Sequence, residues 1–272
     1  MLEKKSGNFL KNKLSNKEMI ENLFNLKGKV ALVTGGSKGI GAMITRGLVE
    51  SGVKVYMCSR SEETCNAYAA EMSKIGECVS LPMDLISTEN IEALAKDIGN
   101  REKKLDILVN NSGLTWGAPI ETFPEKGWDK VMDLNVKSVF FLTKSLLSLL
   151  EAGGTAADPS RVINISSIAG FVHGGLPAVS YNTSKAAVNH LTRILAKELA
   201  PKKITVNAIA PGFFPSKMTA HFDMEKNAEM VPLKRVGQPT DVAGLTIFLC
   251  AQSGSFMTGN IIPLDGGLLI QI

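Results

Sequence analysis

The chain has 272 residues, a length that can bury a substantial hydrophobic core without disulfides or metal ions. Hydrophobic residues make up 44% of it and charged residues 21%, which excludes a disordered or fibrous protein. The formal net charge of +4 is small and dispersed, so we expect no nucleic-acid partner.

Four cysteines stand outside any CxxC pair and only three histidines are present, so we expect no metal site and a reducing, cytoplasmic location. Residues 162–184 and 242–264 carry no charge. Each stretch contains Gly, Pro and several Ser, Thr or Asn, so neither predicts a membrane span, and we interpret both as buried segments lining a site.

The N-terminal 26 residues are predicted to be an extension ahead of one domain, 27–272. This segment is rich in Lys and Asn and lacks the apolar core of a secretory signal. It has no Arg and includes three Glu, unlike a mitochondrial transit peptide. A loose or partly helical extension is the simplest interpretation.

From residue 29 onward, short apolar runs alternate with segments of helical periodicity. Continuous apolar runs are typical of strands covered on both faces, and the alternation implies right-handed βαβ crossovers. We therefore predict an α/β fold, a doubly wound parallel (Rossmann) sheet of about seven strands with helices on both faces. The predicted strands are 30–33, 53–57, 78–83, 107–109, 162–165, 204–208 and 260–263, and the clearest helices are 40–51, 87–103 and 186–200.

A glycine loop, TGGSKGIG, joins the first predicted strand to the first predicted helix. Gly35 permits a tight turn, Gly39 a close approach of the backbone to a pyrophosphate, and Gly41 close packing of the helix against the sheet. Exposed N–H groups and the helix dipole would then bind phosphates, with Ser37, Lys38 and Ile40 in the same loop. The alternative is a βα turn that merely tolerates glycine.

The end of the second strand predicts which dinucleotide binds. An NAD site usually places Asp or Glu there, to bond the ribose hydroxyls. This chain has Ser59 and Arg60 instead, and a hydroxyl with a guanidinium would hold a 2′-phosphate. Lys38 adds a cation on the same side, so we predict that the cofactor is NADP (NADPH). The alternative is that Lys38 and Arg60 are merely solvated surface cations.

Tyr181 and Lys185 stand four residues apart at the start of a predicted helix, on one face. A lysine ammonium and an oxidised nicotinamide would lower the pKa of the phenol, so that Tyr181 could exchange a proton with a carbonyl oxygen. A serine at the end of the preceding strand, Ser166 or Ser167, could hold that oxygen. The alternative for Ser167 is a helix cap or turn residue.

These motifs, with NNSG at 110–113, DLNVKSVF, YNTSK and the Pro-Gly pair at 211–212, resemble the single-domain short-chain dehydrogenase/reductase family over about residues 28–268. The resemblance implies that Ser167 holds the carbonyl, Tyr181 is the acid, and Lys185 binds the nicotinamide ribose and tunes Tyr181. It implies that Asn135 supports a water relay from Lys185 to solvent. It also assigns further residues to the cofactor: Asp84, Leu85, Asn111, Gly113, Pro211, Gly212 and Phe214.

Two departures from the family pattern are visible: Ser112 replaces the usual Ala, and Tyr181 follows Ser167 by 14 positions. That spacing, with PGFFPSKMTAHF, resembles 3-oxoacyl-[acyl-carrier-protein] reductases, including the rhamnolipid-biosynthesis type. The resemblance implies an NADPH-dependent reductase of a 3-oxoacyl thioester and a homo-oligomer, a tetramer or dimer. An apolar C-terminal tail, 267–272, fits a subunit contact.

Three function hypotheses remain open. The first is the 3-oxoacyl reductase, and the second is a secondary-alcohol, sugar or polyol dehydrogenase on the same Ser-Tyr-Lys site. The third is a non-catalytic NADP-binding regulatory protein, which would not need the three side chains together. The substrate would be set by residues 213–230, rich in Met and Phe, which predict either a lid over the crevice or ordinary helix packing.

Overall fold

The computed structural model describes residue 20 and residues 22–172, 178–216 and 223–271. Most of the predicted N-terminal extension lies outside these residues. Leu26, the last residue of that extension, is buried in the hydrophobic core. The packed domain therefore includes at least one residue ahead of the predicted start at 27.

A parallel sheet forms the centre of the domain. In the described parts of the chain it has seven strands in the order β3-β2-β1-β4-β5-β6-β7, which confirms the predicted fold class. Each predicted apolar run became a strand because both faces of the sheet are covered. The strands are β1 Val30–Thr34, β2 Lys54–Ser59, β3 Cys78–Pro82, β4 Ile107–Asn110, β5 Ser160–Ile165, β6 Ile204–Pro211 and β7 Ile261–Leu264.

The helices lie on both faces of this sheet. Those within the described residues are α1 Gly39–Glu50, α2 Glu62–Met72, α3 Thr88–Arg101, α4 Glu125–Met132, α5 Ser138–Ser145, α6 Leu147–Gly153, α7 Val179–Leu199, α8 Met224–Met230 and α9 Pro239–Cys250. A π-helical turn, Asp133–Lys137, joins α4 to α5. Helix α7 begins two residues before Tyr181, so Tyr181 and Lys185 both lie near its start, as predicted.

Two hydrophobic clusters cover the two faces of the sheet. Alternate residues of β1 show the division: Ala31 and Val33 belong to one cluster, and Val30 and Leu32 to the other. All five residues of β1 are buried. Because the strand order reverses between β1 and β4, the loops after these strands diverge and leave a crevice at the carboxyl edge of the sheet.

Candidate active site

The glycine loop after β1 makes the turn that its sequence predicts. Gly35 has φ +63° and Gly39 has φ +53°, in the left-handed region that glycine adopts without strain. Helix α1 begins at Gly39, so the N–H groups of its first turn face the crevice beside the loop. This backbone arrangement is the usual binding site for a phosphate group.

Gly41 lets helix α1 pack closely against the glycine loop rather than against the sheet as a whole. A Cβ on Gly41 would lie 2.1 Å from the carbonyl oxygen of Gly35 and 2.4 Å from Nδ2 of Asn111. Those distances leave no room for a side chain. The close packing that was predicted against the sheet is made against the backbone of the same loop and against Asn111.

Asn111 and Thr34 hold the glycine loop against the end of β4. Asn111 Nδ2 donates to the carbonyl oxygens of Thr34 and Gly35, at 2.9 and 3.1 Å. Thr34 Oγ1 accepts from the N–H groups of Asn111 and Ser112. The family resemblance placed Asn111 beside the cofactor and gave Thr34 no role. Thr34 could not be found from local sequence, because its partners follow β4, far away in the sequence.

The residues predicted to face the adenosine lie at the carboxyl ends of β1, β2 and β3. The Ser37 hydroxyl donates to the Ser59 hydroxyl at 2.9 Å, and Lys38 and Arg60 are exposed. Asp84 accepts from the N–H of Ile86 through its carboxylate. The Leu85 side chain is buried in the core, so the backbone of that residue is the part that could lie against the adenine.

Tyr181 and Lys185 lie on one face of α7, as their spacing predicts. Lys185 Nζ lies 5.6 Å from the centroid of the Tyr181 ring. The same Nζ donates to the carbonyl oxygen of Ile165 at 2.7 Å. The ammonium group is therefore held between the end of β5 and the face of the phenol ring.

Burial changes the proton affinity of both groups. It lowers the pKa of Lys185 from 10.5 to about 8. It raises the pKa of Tyr181, while a hydrogen bond with the Ser167 side chain acts in the opposite direction. The predicted lowering of the phenol pKa depends on an oxidised nicotinamide as well as on Lys185, and it stays a prediction. Among the chain's own groups, desolvation exceeds the effect of the Ser167 hydrogen bond.

The two candidate serines have different partners. The Ser167 hydroxyl accepts from the N–H of Ala169 at 3.1 Å, and the Ser167 side chain lies close enough to the phenol of Tyr181 to act against the rise in its pKa. The Ser166 hydroxyl lies 2.5 Å from Asn189 Oδ1 and 3.3 Å from the carbonyl oxygen of Lys185. Of the two hydroxyls, that of Ser167 is the one placed to share an oxygen atom with Tyr181.

Asn135 lies in the π-helical turn and joins two parts of the site. Its Oδ1 accepts from the N–H of Leu114, and its Nδ2 donates to Leu114 O and to Ser184 Oγ. A Cβ on Gly113 would lie 3.3 Å from Asn135 Oδ1 and 3.7 Å from Lys185 Nζ. Asn135 and Lys185 therefore flank the same glycine, and π-helical turns are frequent at functional sites.

Most of the predicted site residues line one cleft of about 300 Å³. The predicted residues outside its lining are Ser37, Ser59, Arg60, Asp84, Leu85 and Asn135. Within the described residues its lining includes two lysines, Lys38 and Lys185, and no carboxylate. The lining residues are Gly35, Lys38, Gly39, Ile40, Gly41, Asn111, Ser112, Gly113, Ile165, Ser166, Ser167, Tyr181, Lys185, Pro211, Gly212, Phe214 and Ser216. Thirteen of these had been predicted from the sequence, whereas Ser112, Ile165, Ser166 and Ser216 had no assigned role, apart from Ser166 as the alternative to Ser167.

The predicted lid is described only in part. Met218 and Phe222 lie outside the described residues. Asp223 caps α8 by accepting from the N–H groups of Glu225 and Lys226. Met230 is more than half exposed, so this end of the segment does not pack as an ordinary core helix.

Three other sequence-based expectations can be compared with the described part of the chain. No group of His, Cys, Asp or Glu there could hold a metal ion. None of the helices it contains is both long and apolar enough to cross a bilayer. All four cysteines are buried free thiols.

Known proteins resemble this chain over most of its length. A family model described as enoyl-(acyl carrier protein) reductase, one of the short-chain dehydrogenases/reductases, matches residues 35–269. The chain belongs to the short-chain dehydrogenase/reductase family. The resemblance stated from its motifs is thereby confirmed, and the protein is an oxidoreductase of that family.

Two relatives and one solved structure illustrate the range. The chain is 48% identical to the rhamnolipids biosynthesis 3-oxoacyl-[acyl-carrier-protein] reductase of Pseudomonas aeruginosa, over 90% of this chain and 97% of that protein. It is 37% identical to a 2-dehydro-3-deoxy-D-gluconate 5-dehydrogenase of Dickeya dadantii, over 93% and 100% of the two chains. The solved Pseudomonas aeruginosa RhlG/NADP active-site complex aligns with a TM-score of 0.88 at 48% identity, over 91% and 98%.

Proposed function

We propose that this protein reduces the ketone of a 3-oxoacyl thioester to a secondary alcohol, with NADPH as the reductant. The observation that carries the proposal is the joint presence of Ser167, Tyr181 and Lys185 in one cleft beside a phosphate-binding glycine loop. The 48% identity to a 3-oxoacyl-[acyl-carrier-protein] reductase supports this substrate class.

The cleft suits an anionic dinucleotide. Its described lining carries two lysines and no carboxylate, and the start of α1 offers backbone N–H groups. Lys38, Arg60 and the hydroxyls of Ser37 and Ser59 would hold the 2′-phosphate. Within the cleft, Gly35, Gly39, Ile40, Gly41, Asn111, Gly113, Pro211, Gly212 and Phe214 would hold the rest, with Asp84 and the Leu85 backbone toward the adenine.

The reaction needs a hydride at the carbonyl carbon and a proton at the carbonyl oxygen. NADPH, when bound, supplies the hydride. Ser167 holds the carbonyl oxygen by a hydrogen bond, and the Tyr181 phenol gives that oxygen its proton as the C–O double bond becomes a single bond. Because burial raises the pKa of Tyr181, its phenol holds the proton at neutral pH until the oxygen accepts it.

Lys185 and Asn135 complete the site. Lys185 Nζ, fixed by the Ile165 carbonyl oxygen, binds the nicotinamide ribose and stabilises the phenolate left on Tyr181. A water relay beside Asn135 then returns a proton from solvent through Lys185. The pKa of about 8 of Lys185 makes such an exchange easy near neutral pH.

A sugar-acid or other secondary-alcohol dehydrogenase is the second candidate, favoured by the 37% identity to a 2-dehydro-3-deoxy-D-gluconate 5-dehydrogenase. Both candidates use the same three side chains, so they differ only in the substrate. A non-catalytic NADP-binding protein would not require Ser167, Tyr181 and Lys185 to meet in one cleft.

The experiment measures NADPH oxidation with 3-oxoacyl thioesters, sugar acids that carry a ketone at carbon 5, and cyclic ketones in parallel. Turnover of the thioesters with the highest kcat/KM supports the proposal, and highest turnover of a sugar acid supports the second candidate. Tyr181→Phe is expected to lower kcat by about 10²- to 10⁴-fold while NADPH still binds. No turnover by the wild-type protein on any substrate would favour the regulatory alternative.

The homo-oligomer and the cytoplasmic location belong to the same proposal. Trp128, Phe140 and Ile194 are large apolar side chains on α4, α5 and α7 that are more than one-third exposed, which supports a subunit contact. In the C-terminal tail Leu268 is buried within its own chain, while Ile270 is 87% exposed. Four reduced, buried thiols are compatible with a reducing compartment.

A further inference from the structure

A cluster of buried hydrogen bonds joins the chain after β5 to the second turn of α7. The chain after β5 contributes Ser166 and Gly170, and α7 contributes Lys185 and Asn189. The Ser166 hydroxyl donates to Asn189 Oδ1 at 2.5 Å and lies 3.3 Å from Lys185 O. Asn189 Nδ2 donates to Gly170 O at 3.3 Å. Asn189 therefore bonds to both ends of the turn that carries Ser167.

The side chains of Ser166 and Asn189 are both buried. Ser166 is 3% exposed and Asn189 is 5% exposed. Leaving a buried amide group without a partner is costly, so each end of the Asn189 amide favours the arrangement in which its hydrogen bond is made. The orientation of the amide is fixed, because Oδ1 faces a hydroxyl and Nδ2 faces a carbonyl.

Gly170 shows how closely the two segments approach. A Cβ on this residue would lie 2.8 Å from Asn189 Nδ2, 2.8 Å from the carbonyl carbon of Lys185 and 2.9 Å from its oxygen. Neither Lys185 backbone atom can move without moving the helix. The turn after β5 therefore lies directly on the backbone of the residue that carries the site's ammonium group.

The reacting side chains lie immediately beside this cluster. Ser167 follows Ser166 and lines the same cleft as Tyr181, and Lys185 Nζ donates to the carbonyl oxygen of Ile165, the residue before Ser166. A shift of the turn relative to α7 would change the position of Ser167 relative to Tyr181. It would also change the hydrogen bond that holds the Lys185 ammonium group. Sub-ångström placement matters here, since a 1 Å misplacement can lower a rate by about 10²-fold.

We propose that Asn189 is a positioning residue: by bonding to Ser166 and Gly170 it holds the turn that carries Ser167 against the helix that carries Tyr181 and Lys185. The inference deepens the proposed function and rests on its Ser-Tyr-Lys site. Asn189 touches none of the reacting atoms and acts through Ser166 and Gly170.

The test compares Asn189→Leu with Thr192→Val. Leucine is close in size to asparagine and removes both bonds. Thr192, one turn farther along α7, is buried and accepts from Asn164 Nδ2, with no hydrogen bond to the turn after β5. Both variants lose a buried hydrogen bond in the same helix, so a general loss of stability affects both.

Asn189→Leu is expected to lower kcat by about 10- to 100-fold with less than about threefold change in the dissociation constant of NADPH. Its kcat–pH profile shifts relative to the wild type. Thr192→Val is expected to keep kcat and its pH profile while its melting temperature falls. Ser166→Ala is expected to lower kcat less in the Asn189→Leu background than in the wild type, because the bond that joins the two side chains is already lost there.

A folded Asn189→Leu protein with kcat within twofold of the wild type would overturn the inference, as would an equal loss of kcat in Thr192→Val. A second readout needs no substrate. The ultraviolet difference spectrum of tyrosine ionisation, with Tyr181→Phe as the reference, gives the pKa of Tyr181. We expect Asn189→Leu to shift that pKa and Thr192→Val to leave it unchanged. The inference thus stays testable if the 3-oxoacyl thioester is the wrong substrate.

Discussion

Lys185 is buried and can carry a charge, and its surroundings determine the pH range in which its side chain is protonated. The fully buried ammonium has one hydrogen-bond acceptor within the described residues, the carbonyl oxygen of Ile165. Desolvation lowers its pKa to about 8, so near neutral pH the group is close to the point at which it exchanges protons easily. Tyr181 differs, because burial favours its neutral, protonated form.

The lowered pKa of Lys185 predicts how stability depends on pH. Between about pH 8 and pH 10.5 the unfolded chain keeps a proton that the folded chain has released, so the free energy of unfolding rises with pH. Relative to Lys185→Met, the wild type should gain roughly 3 kcal/mol across that window, and below it the difference should be constant. Denaturant titrations from about pH 7 to about pH 10 measure this, and parallel curves for the two proteins would contradict it.

Arg60 is predicted to select the dinucleotide. Replacing it by Ala removes a charge-assisted bond to the 2′-phosphate, so the KM for NADPH should rise about 10- to 100-fold while the KM for NADH stays the same. Arg193→Ala, which removes an exposed arginine from α7, is the matched control and should change neither constant. Equal loss with both dinucleotides would indicate a structural role for Arg60.

At the scale of the elements, the glycine loop and α1 depend on backbone contacts that any side chain would break. A Cβ at Gly41 would lie 2.1 Å from Gly35 O, whereas a Cβ at Gly244, within α9, would meet no atom within 4 Å. The two glycines are both helical, yet only the first is required by packing. The effects of an alanine substitution at Gly41 and at Gly244 can therefore be compared directly.

Gly41→Ala is expected to lower the free energy of unfolding by about 1–3 kcal/mol and to weaken NADPH binding at least tenfold, because the loop must move to admit the methyl group. Gly244→Ala should leave NADPH binding unchanged and stabilise the protein by about 0.5–1 kcal/mol through helix propensity. Thermal denaturation and NADPH fluorescence titration measure both quantities. Unchanged binding in Gly41→Ala would mean that the loop adapts at little cost.

At the scale of the whole molecule, the sheet brings together groups that are distant in the chain. Loops after β1, β4, β5 and β6 all contribute to the cleft, so a bound dinucleotide would contact both halves of the sheet. Binding to the folded state alone then stabilises the entire domain rather than one loop.

NADPH at 100 times its dissociation constant is expected to add about 2.7 kcal/mol to the free energy of unfolding, with a matching rise in melting temperature. NADH at the same concentration should give a much smaller rise, and Arg60→Ala should reduce the advantage of NADPH. Thermal unfolding, monitored by tryptophan fluorescence and by calorimetry, measures this increase in stability. An equal rise with the two dinucleotides would contradict the predicted preference for NADP.

The sequence by itself determined the sheet and the location of the cleft. Its apolar runs are strands because a strand buried on both faces has to be apolar throughout, and TGGSKGIG and YNTSK determine local geometry through φ freedom and helical spacing. Such signals lie within a few residues of one another, so they can be recognised without the fold.

Only the tertiary structure decided which serine hydroxyl meets Tyr181, which face of the phenol Lys185 covers and how Thr34 and Asn189 fix the loops. It also decided that the Leu85 side chain enters the core and that burial raises the pKa of Tyr181. These properties depend on desolvation and on hydrogen bonds between residues far apart in the chain. No local pattern encodes them, because they arise only when β1, β4, β5 and α7 pack together.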